Sequence, residues 1–252
     1  TYAVSAMLEK HFNFGLDMSA SYTFGHAKSV NDGTSSVASS NWKYNYSVDT
    51  NSENELGFSK FDIPHRVMIQ ASYNSPKYWN GWTSTTIAVI YNGFSGSRYS
   101  LTMNEKSDFN NDGQKGNSLL YIPTDDELNK MTFIDNVDKE TGKVIMTAAE
   151  SRAAFKQWIE NDSYAKNHRG QFAERNSNLS KWEHEIDLHL AQTIYNIQGM
   201  GKLEFTFDII NFANMLNKKW GASYESAYNL SPLSLRTHQA HFHPSARYPS
   251  VQ

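Results

Sequence analysis

The chain has 252 residues, a formal net charge of −3, 39% hydrophobic and 19% charged residues. This balance excludes a collagen, a coiled coil or a basic tail and gives no general reason to expect nucleic-acid binding. Cysteine is absent, which removes disulfides, thiolate metal sites and a cysteine nucleophile, and no apolar run reaches the roughly 18 residues of a transmembrane helix, although a transmembrane strand needs only alternation. Aromatic residues make up 13% of the chain and prolines number 6, which fits a β-rich protein with exposed rings. The sequence starts at Thr1 and shows no basic-then-apolar leader; it is expected to be a piece of something longer.

The first predicted strand covers residues 2–10, where Tyr2, Val4, Ala6 and Leu8 alternate with Ala3, Ser5, Met7 and Glu9. The clearest covers 12–26. Phe12, Phe14, Leu16, Met18, Ala20, Tyr22 and Phe24 stand at its even positions, and small or polar residues at its odd ones. A period of two over this length means a strand with two unlike faces, longer than the usual five or six residues. A long connection follows over 27–61. Strands at 62–74 (Val67, Ile69, Ala71, Tyr73) and 82–94 (Ile87, Val89, Tyr91) flank a short turn from Ser75 to Gly81. A second long connection covers 95–181. Within it Thr147 and Glu150 form a T-x-x-E capping box before the helix-forming stretch Ala148 to Glu160.

The last two predicted strands cover 182–197 and 202–213, joined by a short turn at Gly199 to Gly201. Trp182, Ile186, Leu188 and Leu190 oppose Glu183, Glu185, Asp187 and His189; Leu203, Phe205, Phe207 and Ile209 oppose Lys202, Glu204, Thr206 and Asp208. Three acidic residues on one strand face would repel in a dry core and cost little in a wet lumen. Strictly alternating short and long connections, with aromatics near the strand ends, are the pattern of an outer-membrane barrel. The fold expected is all-β: an antiparallel transmembrane β-barrel portion, a meander of long strands with short periplasmic turns, long extracellular loops and one loop helix. If Leu16 lies near the bilayer midplane, Leu16→Arg should cost about 2–4 kcal/mol.

Five segments resemble one family. FDIPHRVMIQASY (Phe61 to Tyr73), YNGFSGSRYSLT (Tyr91 to Thr102), DFNNDGQKGNSLLYIPTDDE (Asp108 to Glu127), RGQFAERNSNLSKWEHEIDLHLAQ (Arg169 to Gln192) and LEFTFDIINFANMLNKKWG (Leu203 to Gly221) are similar, in that order, to motifs of TonB-dependent outer-membrane receptors of the SusC and Oar-like kind. The resemblance implies that residues 1–252 are the C-terminal part of a receptor β-barrel, without the plug domain, in the bacterial outer membrane. It implies import of a nutrient (glycan, peptide or siderophore-like) with energy from the TonB complex, reached through the missing N-terminal region. It further implies contact with outer-membrane lipids and a surface lipoprotein lid in SusC-like members; the net charge of −3 is the ground for expecting no nucleic acid. The tail after Tyr228 holds Pro232, Pro244 and Pro249 and departs from the family's aromatic-ended closing strand. Two alternatives stay open: a small stand-alone barrel acting as adhesin or pore, and a soluble β-rich binding module.

No enzyme is expected, no catalytic or cofactor-binding residue is nominated, and no cofactor is called for. There is no G-x-S-x-G and no Gly-rich phosphate loop. Asp108, Asn110, Asp112 and Gly113 have the spacing of a calcium loop, but Leu119 stands where an EF-hand needs Glu; a turn held by Asx hydrogen bonds is the expected role. No metal site is assigned to the 9 histidines: His184 and His189 fall on opposite strand faces, and His238, His241 and His243 have no carboxylate at matching spacing. His65 is expected to make a structural hydrogen bond at the membrane rim. The loop aromatics Trp42, Tyr44, Tyr46, Tyr99, Tyr121 and Tyr164 are expected to pack their own loops.

Overall fold

The computed structural model describes residues 1–49, 55–79, 81–103, 108–138, 140–197, 201–223, 229–236 and 239–242. Six long strands form the main sheet: β1 (Tyr2–His11), β2 (Leu16–His26), β3 (His65–Asn74), β4 (Ser84–Phe94), β5 (Glu183–Ile197) and β6 (Gly201–Ile209). They lie side by side in chain order, every pair antiparallel. At about 3.3 Å per residue, ten residues span about 33 Å, enough to cross a hydrocarbon core when tilted. Among the described residues the sheet is open, with β1 and β6 at its edges.

Cross-strand register sorts the side chains. Leu8, Ala20, Ile69, Tyr91 and Ile186 form one row; Met18, Ala71, Val89, Leu188 and Ile209 form the next. The opposite face carries Ser19, Gln70, Ile90 and Asp187, then Asp17, Ser72, Ala88, His189 and Asp208. On β2 and β4 the apolar side chains are the more exposed ones. Met18 and Tyr22 are 42% and 44% exposed, while Asp17, Ser19, Ser21 and Thr23 between them are half-buried.

The strand predicted over 12–26 begins at Leu16. Phe12 to Gly15 is the hairpin turn: the Phe12 N–H donates to the Leu16 carbonyl (2.8 Å), the Gly15 N–H donates to the Phe12 carbonyl (3.1 Å), and Gly15 has φ 94°. Phe12 and Phe14 continue the parity of the strand by coincidence, and alternation cannot register a turn made by one glycine in the left-handed region. Leu16 consequently lies at the rim, where arginine costs about 0–1 kcal/mol. The strand predicted from 62 begins at His65, because Pro64 lacks an N–H and Asp62 is turned into the loops. The strand predicted to 213 ends at Ile209, since Asn211 adopts φ 54° and opens a helix.

Four α-helices lie outside the sheet among the described residues: α1 (Ala38–Lys43), α2 (Asp125–Lys130), α3 (Ala148–Asn161) and α4 (Phe212–Leu216). Sequence reading expected only the third. Its capping box forms as anticipated, and Thr124 with Glu127 builds a second one on α2. Residues 95–181 are not a plain loop. Leu101, Leu120, Ile122, Leu128, Phe155, Ile159 and Leu233 enclose a core of their own. Beside it lies a four-stranded sheet in the order Asn178–Leu179, Arg98–Met103, Asn229–Arg236, Gln239–Phe242. The strand from the tail runs parallel to Arg98–Met103, so it serves the loop lobe and not the main sheet.

The two caps set a pH response. The Thr124 N–H hydrogen bond, then Tyr121 and the Thr124 hydroxyl, hold the Glu127 carboxyl below its ordinary 4.5; the Thr147 N–H does the same for Glu150. A depressed carboxyl stabilises the folded form above its unfolded value and loses that contribution as pH falls through its folded value. Amide exchange in α2 and α3 should therefore quicken as pH drops below about 4.5, after correction for intrinsic rates, before the β2–β4 amides respond. Equal change in both regions would contradict this.

Candidate functional site

Three of the recognisable motifs converge on one buried ion pair. Asp62 comes from FDIPHR, Arg98 from SGSRYS and Asn176 from AERN. Asp62 and Arg98 are 2% and 4% exposed and lie 2.7 Å apart. The Arg98 Nε donates to Asp62 Oδ2 (2.7 Å), and its Nη1 donates to the Asn176 carbonyl (2.9 Å). The second Asp62 oxygen accepts the Ala27 N–H at 2.6 Å, and His26 Nδ1 lies 3.2 Å from the first. The guanidinium also stacks 3.8 Å from the centre of the Phe58 ring. Burial pulls Arg98 down from its ordinary value, and Asp62 opposes that, so the arginine stays charged at any working pH.

Asn176 closes the junction. It sits at φ 54°, a region asparagine tolerates better than most residues. Its N–H donates to Ser100 Oγ (2.9 Å), and its Nδ2 donates to the Phe58 carbonyl (2.8 Å). The neighbouring Arg175 donates to the carbonyls of Ser29 and Val30 and to Asn45 Oδ1. Asp32 accepts from the hydroxyls of Ser29 (2.7 Å) and Ser59 (2.6 Å) and from the Lys60 N–H (3.0 Å). Burial alone would raise its carboxyl. The hydrogen bonds from Ser59, Lys60 and Ser29, together with the Arg175 charge, bring it below its ordinary value. These groups lock the first long connection onto the second. A cavity of about 310 Å³ opens beside them, lined among others by Asn31, Asn41, Tyr44, Tyr46 and Lys60.

The apolar sheet face ends in rings on both sides. On the loop side, Tyr22 hydrogen-bonds His65 (2.7 Å) and Tyr91 hydrogen-bonds His184 (2.8 Å). Ring contacts run from Phe24 to His65 (5.3 Å), His65 to Trp182 (6.2 Å) and Trp182 to His184 (6.4 Å). Gly93 permits this layer, because a Cβ there would strike the folded-back Tyr91 ring and Trp182. On the turn side, Trp79 and Trp82 are exposed, and Tyr78 joins Thr85 (2.9 Å) and Gln192. Aliphatic rows lie between two aromatic belts, the profile of a bilayer-facing surface.

The remaining sequence candidates are placed as follows. His65 holds the rim hydrogen bond expected of it. His184 faces the apolar side and His189 the polar side, where it pairs with Asp208 (2.5 Å); His238 and His243 lie outside the described residues, as does the side chain of His241. Both Asp108 oxygens accept N–H groups, from Asp112 (3.3 Å) and Gly113 (3.0 Å), and Asp112 accepts from the Gln114 N–H (2.7 Å) and Asn117 Nδ2 (2.8 Å). Those carboxylates hold an Asx-type turn. Tyr99 is buried in the loop core, and Tyr121 and Tyr164 pack against it. Sequence reasoning missed the Asp62–Arg98–Asn176 junction. The signal was a charged or polar residue inside each of three motif strings, which no pairwise spacing connects.

A membrane-length antiparallel meander, apolar on one face and polar on the other, with aromatic belts and folded loops at one end, defines an outer-membrane barrel segment. The family model described as "Outer membrane beta barrel domain" matches residues 2–227, and the chain belongs to that family. It is a protein of the bacterial outer membrane, in a family that is typically non-enzymatic. Neither a search of curated proteins nor one of solved structures gives a match.

Proposed function

We propose that this chain is the late-barrel segment of a TonB-dependent transporter that imports a nutrient. The pair of open edges supports the reading as a segment of a larger wall, and the five ordered motifs are what favour a transporter over a small barrel. In lipid every backbone N–H and C=O must be satisfied internally, and the outer edges of β1 and β6 have no partner strand among the described residues. Single-chain barrels use at least about eight strands, so in this reading further strands complete the wall. The five motifs in order support a SusC- or Oar-like receptor, with a nutrient bound outside, TonB acting through a region beyond this segment, and a surface lipoprotein as lid. The clamped loops support the extracellular assignment of 27–61 and 95–181, because a receptor needs a fixed outer surface. A stand-alone adhesin or pore is the second reading and would need its own closing strands.

An antibody to the Asp108–Glu127 loop, applied to source outer membranes, separates these. A heat-shifted band far above 28.7 kDa is expected. A heat-shifted band at that mass would sink the transporter reading and favour a small barrel.

A further inference from the structure

The Asx turn of the second long connection gathers more oxygen than its hydrogen bonds use. Asp108, Asn110 and Asp112 share one bend, and Asn117 closes it. Asn117 is 2% exposed, and its carboxamide is aimed into the bend. Its Nδ2 donates to Asp112 Oδ2 (2.8 Å), and the Asn110 Nδ2 donates to the same oxygen (3.2 Å). The Oδ1 atoms of Asn110 and Asn117 are both buried without a hydrogen-bond partner, a state that calls for an explanation in a folded protein. Neither Asp108 nor Asp112 makes an ion pair among the described residues. The chain just after Asn117 is fixed, since the Met103 N–H donates to the Ser118 carbonyl (2.9 Å) and the Leu120 N–H to the Leu101 carbonyl (2.9 Å).

We propose that Asp108, Asn110, Asp112 and Asn117 bind a calcium ion that staples the first long connection onto the second. A half-turn of each carboxamide puts its oxygen where its nitrogen stands, at the positions 2.8 and 3.2 Å from Asp112 Oδ2. Oxygens bound to one calcium at about 2.4 Å, roughly 72–90° apart, lie about 2.8–3.4 Å from one another. The turn's own hydrogen bonds are compatible with the ion. Each carboxylate oxygen has two lone pairs, and the N–H groups of Asp112, Gly113 and Gln114 take one apiece. Two carboxylates balance a divalent charge. The donor set selects the metal: no group of three His, Cys, Asp or Glu side chains gathers among the described residues, so zinc and copper lack their ligands. Carboxylate and amide oxygens on a loop suit calcium better than magnesium, which demands an octahedron. Leu119, at the EF-hand glutamate position, is buried, and Asn117 supplies the further oxygen instead. The Ser47 N–H donates to the Asn117 carbonyl (3.1 Å), and the Leu119 N–H donates to the Ser47 carbonyl (2.9 Å). An ion at Asn117 therefore fixes the point where the two connections meet. The inference rests on these loop residues and is independent of what the barrel transports.

The test uses the full polypeptide carrying this segment in detergent, stripped with a chelator and then given calcium alone. Amide exchange is followed in the peptides covering residues 44–49 and 108–119. An affinity of about 0.1–1 mM, as in extracellular modules, would lower the open population about 6- to 50-fold at about 5 mM calcium. Both peptides should slow together by that factor. Asp112→Asn removes one charge yet keeps an oxygen for the Gln114 N–H, so it separates the ion from the turn; it should abolish the calcium response. Exchange in the unmodified protein that ignores calcium would overturn the inference, whether or not the variant assembles. A response of full size in Asp112→Asn would place the ion elsewhere and overturn it too. Equal protection by magnesium at the same concentration would mean charge screening and overturn the calcium assignment.

Discussion

Replacing Asp62 by alanine is expected to cost about 3–5 kcal/mol in the loop lobe, the typical loss on removing one partner of a buried ion pair. The large value follows from what is left behind. Arg98 would remain 4% exposed with no carboxylate, and the Ala27 N–H would lose its 2.6 Å acceptor. Residues 27–61 and 95–181 should then become sensitive to limited proteolysis, while β1 to β6 keep the heat-modifiable gel mobility of an assembled barrel. Asp62→Asn should be milder, because a side-chain oxygen remains for Ala27. The double variant Asp62→Ala, Arg98→Ala should be less damaging than the two single costs combined, since no orphaned charge remains. Unchanged proteolysis in Asp62→Ala would show that the core around Phe155 and Leu101 holds the lobe without the clamp.

The second large effect is expected at Val89. It stands in the middle of β4, between Ala71 and Leu188 in register, and is 42% exposed on the apolar face. Val89→Arg should destabilise the membrane-inserted sheet by about 2–4 kcal/mol, the cost of arginine near the bilayer midplane. Gln70→Arg, on the polar face between Ser19 and Ile90, should cost far less because its surroundings are wet. Denaturant titration in vesicles measures both. Equal costs at the two positions would mean that the faces are not lipid and lumen. Leu16→Arg is the weaker probe, because the hairpin turn places Leu16 at the rim and not at the midplane.

Local pattern alone determined the sheet's position in the chain and the character of its faces. A period of two is a property of consecutive residues, so Met18, Ala20 and Tyr22, or Ile186, Leu188 and Leu190, declare their common face without any partner. The capping box at Thr147 is legible for the same reason, since donor and acceptor lie three residues apart. Strand ends were less legible. Phe12 and Phe14 obey the alternation while Gly15 turns the chain, and nothing in hydrophobicity separates the two states. Only the tertiary structure decided the loops. Arg98 meets Asp62 and Asn176 across separations of 36 and 78 residues, and Leu233 joins the core of Phe155 from the far end of the chain. Such contacts depend on where a folded sheet delivers its connections. The strand Asn229–Arg236 shows the same limit: Pro232 disfavours a central place in the barrel wall, but only the register with Arg98–Met103 reveals that it belongs to the loop lobe.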